Sequence, residues 1–269
     1  MSVILNNKKT EANDTVLSLA LYGYGCFTSL VVDQGAVKGF KHHIERLLND
    51  SKALFGLSPN ESDIRENIKT FLESKARSGN IVVRVTLFPD GFSIATPEKV
   101  DAINIMVTGR EQHSVGVKAL RLLSVDSARI HPFQKTTNML SNLKARAIAH
   151  QKGYDDAIMM QNKLITEGAT WNIFLGRGKK IITPSLTEGL LPGITRRIIL
   201  DCGKRFGYSI KEARITTDTL RAYEYGFATN ASTGITPIKS IDAIEFDASN
   251  DNLTCLSENY RQMPGERVV

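Results

Sequence analysis

Gly193, Ile194 and Thr195 in LLPGITRR open a helix, and their backbone could do chemistry without any special side chain. N–H groups at a helix N-terminus point outward unpaired and the helix dipole adds partial positive charge, so this turn has the outline of a phosphate site, with the Thr195 hydroxyl as a further donor. Read without context, the same residues make a Pro-Gly turn with a threonine N-cap. Glu167 stands in TEGATWNIF, expected as a Thr-Glu-Gly turn between two strands, and Lys135 stands in HPFQKTTNML, beside a helix expected to start at Thr136 or Thr137. Taken alone, that lysine reads as a solvated surface residue.

The elements that must bring these groups together alternate along the chain. CFTSLVVD (26–33) has strand composition, and FKHHIERLLNDSKALFG (40–56) sets Ile44, Leu47, Leu48, Leu54 and Phe55 at helical spacing. SPNE predicts a second helix with Ser58 as N-cap, Pro59 at the first helical position and Glu61 reaching back, running to about Lys75. NIVVRVTLF and DAINIMVTG read as buried strands. GREQHSVG (109–116) is the candidate linker. Beyond it come strand VKALRLLSV, helix TNMLSNLKARAIAHQKG, strands DDAIMMQ, WNIFLG and KIIT, helix ITRRIILDCGKRFG, strand YGFATN and an ITPI segment. Without a regular βαβ period, this order implies α/β or α+β lobes and not a doubly wound sheet: an N-terminal domain over 1–110, a linker over 111–116 and a C-terminal domain over 117–269.

The chain has 269 residues, 42% apolar and 23% charged, enough for an ordinary globular core. Its charge of +6 is spread among acidic residues, as in KHHIERLLND, with no basic block, so nucleic acid is not expected as a partner. No apolar run reaches 18 residues and no secretory signal is visible, so a membrane is not expected and the cytoplasm is the expected location. Cys26, Cys202 and Cys255 are odd in number and never paired as CxxC, which reads as free thiols. His131 and the other histidines lack metal-ligand spacing, and no metal is expected.

The order HIERL, K-x-x-N-x-L, TEG-x-x-x-N-x-F, LPGITR and N-x-S-x-G-I-x-P resembles the class IV aminotransferases, the fold-type IV pyridoxal-phosphate enzymes. The resemblance spans nearly the whole chain. It implies a smaller N-terminal α/β lobe and a larger C-terminal pseudo-barrel lobe, a homodimer, and pyridoxal 5'-phosphate as cofactor. Lys135 would hold the cofactor as a Schiff base. Arg46 would take its phosphate together with Gly193, Ile194 and Thr195, Glu167 would face the pyridine nitrogen, Leu191 would pack on the ring, and Ala231 and Ser232 would add cofactor contacts.

The implied chemistry needs these residue types. A lysine attacks an aldehyde only when neutral, and its ordinary pKa of about 10.4 must be lowered by burial or nearby cations. Once displaced by a substrate amine, the freed Lys135 can act as general base while the ring accepts electrons. Arg46 offers a planar fork to phosphate that lysine would not reproduce. Within the family, YGYGCFTSLVV has Thr28 where aminotransferases commonly have glutamate, and TNASTGITP has Asn230 where branched-chain aminotransferases tend to have glycine. Both are similar to aminodeoxychorismate lyases, which implies Thr28 and Asn230 as catalytic neutral groups, and Arg84 and Arg129 as binders of the substrate carboxylates. A branched-chain or D-amino-acid aminotransferase is the alternative, and a non-catalytic binding module of the same fold a further one.

Overall fold

The computed structural model describes residues 3–5, 8–10, 13–74, 79–112 and 118–268. Toward the N-terminus, three antiparallel strands lie in the order Cys26–Val32, Ile81–Pro89, Ile103–Glu111. Successive side chains of a strand point to opposite faces. Cys26, Leu30, Val83, Val85 and Leu87 therefore share one face, which is buried against Ile44, Leu47, Ile64 and Ile68 of helices Phe40–Phe55 and Glu61–Glu73. Register places Phe27 opposite Thr86 and Ser29 opposite Arg84, so these four share the other face. That second face becomes a wall of the site.

The remaining strands make a nine-stranded sheet among the described residues. Its main path runs Ser209–Ala213, Lys180–Pro184, Asn172–Arg177, Tyr225–Asn230, Gly234–Ile241, Leu120–Asp126, Asp156–Gln161, Leu164–Gly168. The sheet curls until its ends approach one another: the Ile165 N–H donates to the Ile215 carbonyl at 2.9 Å, just beyond the opposite edge strand. Alternation again sorts the residues. Ile173, Leu175, Trp171 and Ile238 fill the curl, while Phe174 stacks on Phe227 with ring centroids 5.0 Å apart and packs against Ile198, Ile199, Leu253 and Leu256 of the outer helices Ile194–Cys202 and Asp251–Gln262. The architecture is that of the two-lobed fold with a pseudo-barrel.

Several local expectations shift. The second helix starts at Glu61 with Asn60 as N-cap, because the backbone is still extended at Asn60 (φ −71°, ψ 147°). The strand Ile103–Glu111 runs into the segment expected as linker, and 113–117 lie outside the described residues. The chain end returns to the first lobe: Glu266–Arg267 pairs with Ala36–Val37, and Val268 is buried in the N-terminal core. Helix Asp14–Tyr22 and helix Asp251–Gln262 had no sequence expectation. Among the described residues, no helix is long and apolar enough to cross a membrane.

Candidate active site

The helix Phe40–Phe55 begins at Gly39, whose φ of +66° suits glycine, and a Cβ there would lie 2.8 Å from Ile198 Cδ1. This contact brings the helix against Ile194–Cys202, so that Arg46 on the first meets the turn that opens the second. Arg46 Nη1 donates to the Pro192 carbonyl at 3.2 Å and Nη2 to Thr28 Oγ1 at 3.2 Å. Its Nε is buried with no partner among the described residues. A buried guanidinium N–H without an acceptor is costly, and an anion is the natural acceptor. Gly193 is the N-cap of Ile194–Cys202 and no side chain caps that end, which leaves the first-turn N–H groups without intrahelical partners. Thr195 is not the N-cap; it is buried inside the first turn.

Why glycine is needed at 193 is visible in its neighbour. Asn172 Nδ2 donates to the Leu191 carbonyl at 2.9 Å, and a Cβ on residue 193 would fall 2.0 Å from Asn172 Oδ1. Asn172 thus clamps the LPG turn from the barrel strand Asn172–Arg177. The arrangement fits a phosphate group: an orphaned guanidinium N–H, an uncapped helix start and a backbone kept bare for close approach.

Lys135 lies in the segment before the helix Leu140–Gln151, which starts later than expected because the backbone at 135–137 pairs with the first lobe. The Lys135 carbonyl accepts from Phe27 N–H at 2.8 Å, Thr137 N–H donates to the Gly25 carbonyl at 2.8 Å, and Lys135 N–H donates to Asp50 Oδ2 at 3.0 Å. So fixed, the side chain turns inward, its Nζ 4.7 Å from the Phe27 ring centroid. Burial and the cations Arg46, Arg129 and Arg84 lower the amine to a pKa of about 7, against the opposing pull of Glu167. A lysine on the surface would have none of these causes.

Glu167 occupies the buried strand Leu164–Gly168 rather than a turn. Its Oε1 accepts from Arg129 Nε at 2.8 Å, with both side chains at most 5% exposed. Burial lifts the carboxyl above the usual glutamate range, although Arg129 and the Leu191 N–H oppose the rise. Arg129, expected at a substrate carboxylate, has its Nε committed to Glu167.

A cavity of about 240 Å³ gathers these groups, with Arg46, Lys135, Glu167 and Leu191 on its wall together with Gly193–Thr195 and Asn230–Ser232. Thr28 is not on that wall. It is fully buried on the helix side of its strand, and the hydroxyl facing the cavity is that of Ser29. Asn230 does reach the cavity, but its Oδ1 accepts from Ser232 N–H, Thr233 N–H and Thr233 Oγ1 at 2.8–3.0 Å, so it shapes a turn rather than offering a free carbonyl. Ser232 N–H is spent on that turn. Arg84 faces the cavity from its strand, stacked over Phe27 with its guanidinium carbon 3.6 Å from the ring centroid.

His43, Asp50, Ser29 and Asn172 are the site residues that the sequence reading missed. Helical spacing carried a signal for two of them, since His43, Arg46 and Asp50 lie at i, i+3 and i+7 on one face. Strand parity carried one for Ser29.

Residues 25–241 match the family model for amino-transferase class IV. Along nearly its whole length the chain is similar to the D-alanine aminotransferase of Listeria monocytogenes, 25% identical over 97% of this chain and 94% of that protein. It is also similar to the aminodeoxychorismate lyase of Bacillus subtilis, 26% identical over 94% and 90%. Among solved structures, the branched-chain aminotransferase of Thermoproteus uzoniensis with norvaline superposes with a TM-score of 0.84 at 26% identity, over 97% of this chain and 94% of that one.

Proposed function

The chain belongs to the class IV aminotransferases, a family of pyridoxal-phosphate enzymes, and from that premise we propose that it is a 4-amino-4-deoxychorismate lyase, releasing pyruvate and 4-aminobenzoate. The cofactor would be held by Lys135 through its amine, by Arg46 and the Ile194 and Thr195 N–H groups at the phosphate, by Glu167 at the pyridine nitrogen and by Leu191 on the ring. Bound pyridoxal phosphate supplies an electron sink for the carbon that bears the substrate nitrogen. Lys135, whose amine has a pKa of about 7, is then a base matched to neutral pH and takes the proton from that carbon. The enolpyruvyl ether bond breaks, and the proton is returned to the departing enol carbon as pyruvate forms. Aromatisation of the ring drives the step. Atoms balance without water or a second amino acid.

The observation that carries the lyase reading is the cavity wall made by Ser29 and Arg84. They are direct cross-strand partners on the face toward Lys135, and Ser29 directly follows the Gly-x-Gly-Cys-Phe-Thr run that is similar to lyases. Arg84 supplies a cation for a substrate carboxylate and Ser29 a neutral hydroxyl, where a carboxylate side chain would repel the substrate. Thr28 takes no part at the substrate. Ile130, Phe133, Leu140 and Leu143 are exposed around the Lys135 segment, which supports a homodimer whose second copy covers them. The domain division at 111–116 belongs to the same proposal, supported by the separate sheets on either side.

A coupled assay for pyruvate and 4-aminobenzoate from enzymatically made aminodeoxychorismate tests the reading. Both products should appear in equal amounts, and Arg84→Leu should raise KM about tenfold or more; neither product from a cofactor-loaded protein would exclude the lyase. A second reading, amino transfer, is favoured by the full-length similarity to the D-alanine aminotransferase. It predicts that an amino acid alone converts the bound cofactor to its aminated form.

A further inference from the structure

Behind Arg46 lies a buried polar chain that the reaction does not use. Thr28 Oγ1 is fully buried and has two partners: Arg46 Nη2 at 3.2 Å and His43 Nδ1 at 2.7 Å. Guanidinium nitrogens only donate, so Thr28 accepts from Arg46. The single hydroxyl hydrogen must then find an acceptor, and among the described residues Nδ1 is the one paired with it. An Nδ1–H tautomer would leave that hydrogen buried and unpaired, at a penalty typical of a lost buried hydrogen bond. The geometry thus sets the imidazole as neutral, with Nδ1 bare and the hydrogen on Nε2. Burial first, then the neighbouring Arg46 and Lys135, hold His43 well below the ordinary histidine range, in keeping with that assignment. Asp50 is the anion on the same helix face, and its Oδ2 is taken by Lys135 N–H.

We propose that His43 is a positioning residue for phosphate binding: by taking the Thr28 hydroxyl hydrogen it turns a Thr28 lone pair onto Arg46 Nη2, and so aims the guanidinium whose Nε has no partner among the described residues. Arg46 is held at two points, Thr28 on one side and the Pro192 carbonyl on the other. Losing the first leaves one tether on a side chain with four rotatable bonds, and the planar fork loses its preset angle. The role expected for Thr28 at the substrate is replaced by this one. The inference rests on the reading of Arg46 as the phosphate ligand, and its test separates the two.

The experiment titrates apoprotein with pyridoxal phosphate and with pyridoxal, which lacks the phosphate, and takes the ratio of the two Kd values as the phosphate contribution. His43→Leu and Thr28→Val should each reduce that ratio about tenfold, and the double variant should be no worse than either, because one chain is broken in each case. His43→Asn, which can present an acceptor where Nδ1 stood, should keep the ratio within about threefold, whereas His43→Gln should not. In wild-type protein, nitrogen NMR should show His43 Nδ1 unprotonated and Nε2 protonated, a readout independent of the cofactor and of variant folding. An unchanged ratio in His43→Leu, or a proton on Nδ1, overturns the proposal. Arg46→Gln is the control: an unchanged ratio there overturns the Arg46 reading itself, while a reduced ratio beside an unchanged one in His43→Leu overturns only the His43 role.

Discussion

Replacing Lys135 by methionine should stabilise the cofactor-free protein, and by an amount that depends on pH. The buried amine titrates near pH 7 in the folded chain and near 10.4 in the unfolded one. Between those values the unfolded state binds the extra proton, so the stability of the wild type rises with pH across the window. At pH 7 the lowered pKa costs about 4 kcal/mol, and at pH 10 it costs under about 1 kcal/mol. Lys135→Met lacks this dependence. The stability difference between variant and wild type should therefore shrink by about 3–4 kcal/mol from pH 7 to pH 10. Other groups that titrate there are common to both proteins and cancel. Urea unfolding of both apoproteins, followed by the fluorescence of Trp171, the single tryptophan, measures the difference. A gap that stays constant between the two pH values would refute the reasoning, since it would mean that the amine has an ordinary pKa in the fold.

Three further outcomes follow from the same geometry. Gly193→Ala places a Cβ 2.0 Å from Asn172 Oδ1 and should weaken pyridoxal-phosphate binding about tenfold or more by shifting the helix start; wild-type affinity in a spectroscopic titration would count against the phosphate cup. Glu167→Leu leaves the buried Arg129 without its counter-charge and should destabilise the protein by about 3–5 kcal/mol in denaturant unfolding. Burial raises Asp50 to a pKa of about 6, so the folded chain holds its proton more tightly than the unfolded one and stability falls as pH rises from about 4 to 6. Asp50→Asn should therefore gain about 2–3 kcal/mol over wild type at pH 8 and nothing near pH 3, as unfolding curves at the two pH values would show.

Much of the site was legible in the chain because its parts sit inside ordered motifs. Lys135, Arg46, Glu167 and the LPGIT turn meet around one cavity as the resemblance implied. What misled was local. Thr28 was assigned to the substrate by its place in a motif, whereas strand alternation puts Phe27 and Ser29 on the cavity face and Thr28 beneath Arg46. Arg129, expected at a substrate carboxylate, does line the cavity, but the pairing of its Nε with Glu167 on a strand of the curled sheet has no counterpart in sequence spacing. Helix starts moved for a physical reason too: the backbone of 135–137 is used by the first lobe's strand, so Leu140–Gln151 cannot begin earlier. Tertiary hydrogen bonds of this kind leave no periodic trace in a sequence.

Borohydride treatment of the cofactor-loaded protein, followed by proteolysis and mass spectrometry, tests the central assignment most directly. The account predicts loss of the visible absorption band and a reduced cofactor fixed to the side chain of residue 135 alone. A label on any other lysine, or a band that survives in Lys135→Ala, would contradict it.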